Sequence, residues 1–192
     1  MKVVIIDYGA GNIQSIRFAL ERLGATAILS HDADEIRQAS HIIFPGVGEA
    51  SSAMKKLQDT GLDSVIPTLK QPLLGICLGM QLMCHASEEG NTKGLGIFDT
   101  EVVRFNTNLN VPHMGWNMVN GTGKLFSDIA QNSHFYLVHS YYAKCCNHTN
   151  ATCTYDLPFS AALARDNFYG TQFHPEKSGD VGAQLLQNFL NL

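Results

Sequence analysis

Apolar and polar positions fall into alternating strand-like and helix-like blocks along the chain up to Gly90. Val3 to Ile6 is a continuous apolar run, the pattern of a strand buried on both faces. Gly9-Ala10-Gly11 then opens a helix predicted over Asn12 to Leu23, with Ile13, Ile16, Ala19, Leu20 and Leu23 on one stripe and Gly24 as its stop. Ala27 to Leu29 predicts a second strand, Asp34 to Ala39 a short polar helix, and His41 to Phe44 a third strand ending at Pro45-Gly46-Val47-Gly48. Helices are predicted over Ser51 to Leu57 and Leu62 to Leu69. The run Leu73-Leu74-Gly75-Ile76 leads into Cys77, and an apolar, helix-compatible segment follows from Met80 to His85. Such alternation predicts an α/β domain, a parallel sheet with helices on both faces.

After Gly90 the pattern changes. Gly94 to Ile97, Thr100 to Phe105, Met114 to Val119, Phe135 to Ser140, Ala151 to Tyr155, Phe159 to Ala164 and Phe168 to Phe173 are short β-like runs, separated by turn-rich segments such as Asn106 to Asn110 and Asn120 to Lys124. They predict a mixed sheet with added antiparallel strands. Ser178 to Leu192 closes the chain as a helix, with Val181, Leu185, Phe189 and Leu192 spaced to cover a sheet face.

The 192 residues, 45% of them hydrophobic, fit one domain over 1–192, and no linker, repeat or low-complexity tract divides them. A net charge of −4 argues against nucleic acid as a partner. The five cysteines are odd in number and form no CxxC, and Cys145-Cys146 are adjacent, so the expected setting is a reduced, cytoplasmic one. The first apolar run is too short for a signal peptide or a membrane span.

Candidate chemistry centres on Cys77. Between Gly75 and Gly79, at a sharp strand-to-helix turn, its sulfur would be pushed out beyond the sheet edge. Small neighbours let a carbonyl approach, and the N–H groups of the following helix would favour the thiolate. A buried core cysteine is the plainer alternative. His174 and Glu176 flank Pro175 near the C-terminus. In extended chain they would share a face, so Glu176 could orient His174, and His174 could take the proton of Cys77. An ordinary histidine beside a turn is the alternative there. Pro45-Gly46-Val47-Gly48 could turn N–H groups outward to hold an oxyanion, or be a plain turn. Gln81, one helical turn past Cys77, is either a ligand for a polar substrate end or a surface residue. The glycines after the first strand are an incomplete dinucleotide fingerprint, because Gln14 stands where the third is needed. Neither Cys84-His85 nor Cys146 with His148 has zinc-site spacing, so no metal is expected.

Gly75-Ile76-Cys77-Leu78-Gly79-Met80-Gln81, followed far downstream by His174-Pro175-Glu176, resembles the class I glutamine amidotransferases, the triad glutaminases. Phe44-Pro45-Gly46-Val47-Gly48 matches that family's oxyanion strand. Asp7-Tyr8-Gly9-Ala10-Gly11-Asn12, Pro112-His113-Met114-Gly115-Trp116-Asn117 and Tyr136 to Tyr142 resemble its members that serve imidazole glycerol phosphate synthases in histidine biosynthesis. The resemblance implies a three-layer, flavodoxin-like glutaminase domain that needs no cofactor. It implies Cys77, His174 and Glu176 as the catalytic triad, oxyanion donors at Val47, Gly48 and Leu78, and glutamine contacts from Gly46, Gln81, Ser140 and Tyr141. It also implies that ammonia passes to a separate (β/α)₈-barrel synthase subunit, with Asn12, Trp116 and Lys177 facing that partner. With glycine on both sides of Val47, one peptide can rotate to make or unmake the oxyanion hole, which would leave the isolated chain nearly inactive. Two rivals are the glutaminase of another ammonia-channelling complex, such as pyridoxal phosphate synthase, and a non-enzymatic module on the same fold.

Overall fold

A computed structural model describes residues 2–9 and 13–192. Ala10, Gly11 and Asn12, which include the expected helix opening and one expected partner contact, lie outside the described residues. The apolar run near the N-terminus forms β1 (Val3–Ile6), buried along its whole length. Val3 and Ile5 point into one core, Val4 and Ile6 into another, so this strand belongs to both faces of the sheet. Helix α1 (Ile13–Arg22) buries Ile16, Ala19 and Leu20, as the stripe predicts. Its end is closed at Gly24 (φ +76°), where Ala25 N–H donates to Leu20 O and Gly24 N–H to Glu21 O.

The first half continues through β2 (Ala27–Ser30), α2 (Ala33–Arg37), β3 (His41–Phe44), α3 (Ala50–Asp59), α4 (Leu62–Val65) and β4 (Leu73–Ile76). Asp32 caps α2, and Glu49 caps α3 by accepting from the N–H groups of Ser51 and Ser52. The helix predicted over Leu62 to Leu69 gives way after Val65 to a 3₁₀ turn at Ile66–Thr68, where Pro67 has no N–H to continue it. Helix α5 (Leu78–Leu82) follows Cys77. It starts earlier and stops sooner than the apolar segment Met80 to His85 predicts, because Cys84 and His85 enter a strand, β5 (Cys84–Ser87).

The second half supplies β6 (Thr92–Lys93), β7 (Phe98–Arg104), β8 (His113–Gly121), β9 (Ser133–His139), β10 (Tyr141–Ala143), β11 (Thr149–Tyr155), β12 (Leu157–Arg165), β13 (Phe168–Thr171) and α6 (Gly179–Leu190). The expected strand at Gly94 to Ile97 is instead an irregular stretch folded over the end of α5. There Leu95 N–H donates to Leu82 O, Ile97 N–H to Met83 O and Gly96 N–H to Cys84 O. These local bonds use the donors that a sheet ladder would need.

Among the described residues, nine strands form the central sheet in the order β2-β1-β3-β4-β13-β12-β11-β8-β9. The run from β2 to β13 is parallel, and β12, β11, β8 and β9 extend it antiparallel. Helices α1 and α6 cover one face, while α2, α3 and α4 cover the other. This is the three-layer α/β arrangement expected. A second sheet of four strands, β10-β7-β5-β6, stands apart from it, where one mixed sheet is expected. The split follows from β5: it pairs with β7 in parallel and with β6 antiparallel, which draws the chain after α5 away from the main sheet.

Close backbone packing joins β3, β4 and α5. A Cβ on Gly79 would strike the carbonyl of Phe44 at the end of β3, and one on Gly46 would lie 2.6 Å from the Gly79 nitrogen. Gly79→Ala is therefore expected to destabilise the fold by about 1–3 kcal/mol. The measurement is urea unfolding, with a lower midpoint at an unchanged slope. A wild-type midpoint would show that the two segments do not pack this closely.

Candidate active site

Sheet order decides what meets at the site. Strands β3, β4 and β13 are neighbours and parallel, so their C-terminal ends open on the same edge. From those ends come Pro45 to Gly48, Cys77, and the segment leading to His174. The corner between β9 and β10, at Ser140, approaches from the side. Together they enclose a cavity of about 300 Å³ whose lining includes Val47, Gly48, Cys77, Gln81, Ser140 and His174.

Cys77 has φ 54° and ψ −111°, a conformation an L-residue adopts only under constraint. Such strain costs about 1–3 kcal/mol and has to be imposed by the surroundings. Here its N–H is held by Thr171 O at 2.7 Å, and its carbonyl accepts from Gln81 N–H at 3.2 Å. Gly75 and Gly79 on either side make room for Met83 and for the end of β3. The sharp strand-to-helix turn predicted from sequence is present, and Cys77 stands at its apex, half-buried and unpaired by any disulfide.

His174 is clamped through its backbone. Its N–H donates to Tyr136 O at 2.9 Å, and its carbonyl accepts from Ser178 Oγ at 2.7 Å. Its Nδ1 lies 2.9 Å from Glu176 Oε1, and both side chains are almost fully buried. The sequence-based route to this contact is corrected: His174 and Glu176 do not share a face of extended chain. Strand β13 stops at Thr171, and Pro175–Lys177 form a 3₁₀ turn that folds Glu176 back onto the ring. Proline supplies the fixed φ that starts such a turn. Burial alone would strip the proton from His174. Hydrogen bonds with Cys77 and Glu176, and their charges, outweigh it and push the imidazole from an ordinary 6.5 up to about 10.

Gln81 is on the cavity wall, but its amide N–H groups are already engaged, with Tyr141 O at 2.9 Å and Gln172 Oε1 at 2.8 Å. It therefore offers its carbonyl oxygen to a ligand. Ser140, Tyr141, Leu78 and Lys177 also line the cavity. Gly46 is not among the lining residues and packs instead on the first turn of α5. Trp116 lies outside the cavity on β8, 56% exposed beside Met114 and Met118. Among the described residues no group of three or more His, Cys, Asp or Glu side chains is placed to hold a metal ion.

Three residues take roles at the site that the sequence reading does not assign to them. Gln172 is fully buried and points its Nε2 at Cys77 Sγ, 3.7 Å away. Its position two residues before His174 is the one clue the sequence holds. Glu89 brings a carboxylate to the cavity, raised above the usual range chiefly by burial, while its Oε2 accepts from Ala50 N–H. Tyr8 donates its hydroxyl to Pro45 O at 2.9 Å and so ties down the start of the glycine-rich segment.

The family profile "Glutamine amidotransferase class-I" matches residues 4–192. The imidazole glycerol phosphate synthase subunit HisH of Bacteroides fragilis (strain YCH46) is 52% identical over 196 residues, covering all of both chains. The subunit of the same name from Pectobacterium atrosepticum is 47% identical, again over all of both chains. In fold, the chain is similar to the crystal structure of a putative GMP synthase subunit from Thermoplasma acidophilum. That TM-score is 0.78 at 19% identity, covering 100% of this chain and 92% of the other.

Two expectations follow from the geometry. The His174 ring should keep its proton to about pH 10 in an NMR titration, and Glu176→Gln should bring that value back toward 6.5. Because the folded-state value is raised, the associated stabilisation is complete below about pH 6.5 and is lost as pH rises through about 10. A His174 that titrates normally in both forms would break the proposed pairing. Secondly, a glutamine-like electrophile should label Cys77 and spare the rest. Cys84 is buried and its thiol is pushed up by desolvation, and burial likewise pushes Cys153 up to about 12. Cys145 and Cys146 are reachable but lie outside the cavity lining. Equal labelling of all five would refute a specific nucleophile.

Proposed function

The chain belongs to the class I glutamine amidotransferase family, and from that premise we propose that it is the glutaminase subunit of an imidazole glycerol phosphate synthase. The observation that carries the chemistry is Cys77, held at a strained turn beside a His174–Glu176 pair at the edge of a parallel sheet. The near-half identity to the synthase subunits, over their full length, supports the complex. The family profile spans almost the whole chain, which supports a single amidotransferase domain over 1–192. No helix among the described residues is long and apolar enough to cross a membrane, and a cytoplasmic setting suits a biosynthetic complex.

In this reading Cys77 Sγ, as thiolate, attacks the side-chain amide carbon of glutamine, and the carbonyl π pair moves to oxygen. The N–H groups of Leu78 and of the Val47-Gly48 segment hold that oxyanion. His174 gives its proton to the departing nitrogen, the C–N bond breaks, and ammonia leaves a thioester on Cys77. The neutral ring then takes a proton from water as the water oxygen attacks the thioester. The C–S bond breaks, glutamate departs and the thiolate is restored. Glu176 holds Nδ1 of His174, which leaves Nε2 to face the sulfur. Ser140, Tyr141 and the Gln81 carbonyl bind glutamine, and the Glu89 carboxylate suits its α-ammonium group.

Ammonia would pass to a (β/α)₈-barrel synthase subunit that forms imidazole glycerol phosphate and an aminoimidazole carboxamide ribotide. The outward side of β8 suits the docking of that partner. Met114 (66% exposed), Trp116 and Met118 (48%) alternate there with inward residues, an apolar row that a lone chain leaves in water. Lys177, exposed and lining the cavity, suits a place on the side where ammonia leaves.

The test is ammonia release from glutamine by the pure chain, by its complex with a barrel synthase subunit, and by that complex with synthase ligand. Completing an oxyanion hole is worth about 10²–10³ in rate, and a rise of that order is expected from the first to the third. Equal rates in all three would refute partner control. Cys77→Ala should abolish release in each, and His174→Ala nearly so. A His174→Ala enzyme with normal turnover would assign the base elsewhere.

A further inference from the structure

Of the buried histidines that the chemistry above does not use, two touch one another. His113 opens β8, His139 closes β9, and they are cross-strand partners. Both are almost wholly buried, among Phe105, Phe159 and Tyr155, with His113 stacked on Tyr155 at 4.0 Å. Their rings touch through polar atoms: His113 Nδ1 lies 3.0 Å from His139 Nε2.

The proton positions follow from the partners. His139 Nδ1 is 2.8 Å from the carbonyl of Tyr141, which can only accept, so that nitrogen carries the proton. In the neutral ring Nε2 is then bare, and it must accept from His113 Nδ1–H. His113 Nε2 is bare in turn, and Asn117 Nδ2 donates to it at 3.2 Å. Burial holds His113 down to about 4 and His139 to about 3, so both rings are neutral and the order is fixed. Protonating either would set two N–H groups against one another.

The Tyr141 carbonyl joins this chain to the cavity. It also accepts from Gln81 Nε2 at 2.9 Å. The second hydrogen on that nitrogen goes to Gln172 Oε1 at 2.8 Å, and Gln172 Nε2 reaches Cys77 Sγ at 3.7 Å. An unbroken set of hydrogen bonds thus links Asn117 to the sulfur. His139 also sits at the corner where the chain leaves β9 for β10 through Ser140, a cavity residue.

We propose that the His113–His139 pair is a positioning element for the nucleophile: it fixes the Tyr141 carbonyl, which orients Gln81 and, through Gln172, presents an N–H to the Cys77 sulfur. His113 acts by selecting the tautomer of its partner. Without its N–H, His139 is free to move its proton to Nε2. A bare Nδ1 would then face the carbonyl, and the corner at Ser140 would lose its tie. The kinetic part of this inference rests on the glutaminase reading, whereas the reactivity of Cys77 does not.

The test uses three measurements on the full chain. In nitrogen-15 NMR at neutral pH, both wild-type rings are expected as the neutral Nδ1–H form. A His139 protonated on Nε2 would overturn the proposal with no variant needed. In His113→Phe, which keeps the stacking on Tyr155, alkylation of Cys77 by iodoacetamide should slow about tenfold, the upper order expected when one hydrogen bond is lost. Peptide mass spectrometry resolves the sites, and exposed Cys145 serves as the internal control. His113→Asn places an amide N–H near the lost one and should restore most of the rate. In the complex with a barrel synthase subunit, kcat/KM for glutamine should fall and recover in parallel. A purely structural role would lower the melting temperature of His113→Phe and leave the Cys77 rate untouched, and that result would also overturn the proposal. A wild type that alkylates at Cys77 yet never hydrolyses glutamine would sink the glutaminase reading alone.

Discussion

The strained backbone at Cys77 is the constraint on which the site depends. A residue at φ 54° does not stay there by its own preference. It is held by the Thr171 carbonyl on one strand and by the absence of side chains at Gly75 and Gly79. Those glycines let the end of β3 come into contact with the first turn of α5. The same contact that presents the sulfur therefore also brings Pro45 to Gly48 beside it. Candidate nucleophile and candidate oxyanion donors are placed by one packing event rather than two.

The rest of the site is supplied by chain far away in sequence, and it is rigid because its polar groups are satisfied. His174 is anchored to β9 by its own peptide and by Ser178 before its ring is considered. Gln172 and Gln81 are buried amides that bond to each other, to Tyr141 and to the sulfur. Buried polar groups of this kind are costly unless every link is made. Within the site, Glu176 departs from the rule. Glu176 Oε2 is buried without a partner among the described residues, so the carboxylate spends only one oxygen on the histidine.

The two halves of the large sheet divide the work. The parallel half, covered on both faces, carries the residues whose relative positions must not drift. The antiparallel half turns one side of β8 outward, where methionine and tryptophan side chains stand in water. Its inward side carries His113, which touches the polar chain leading to the cavity. Surface and site are thus joined through a single strand.

How much of this was legible differs by element. The parallel strands β1, β3 and β4 read directly as apolar runs, because strands covered on both faces have no polar side to disguise them. The elbow at Cys77, the candidate triad residues and the family resemblance were likewise available, since glycine, cysteine, histidine and proline carry narrow conformational and chemical meanings. Tertiary structure alone decided the rest. It cut the helix after Cys77 short, because pairing of β5 with β7 outweighs the helical preference of Met80 to His85. It turned Gly94 to Ile97 into a wrap around α5, and it drew Glu176 onto His174 through a 3₁₀ turn instead of along a strand. It also made partners of His113, His139, Gln81, Gln172 and Cys77. Local pattern cannot show such a set, because hydrogen bonds between buried side chains depend on which strands lie side by side. That order is set by packing of the whole sheet.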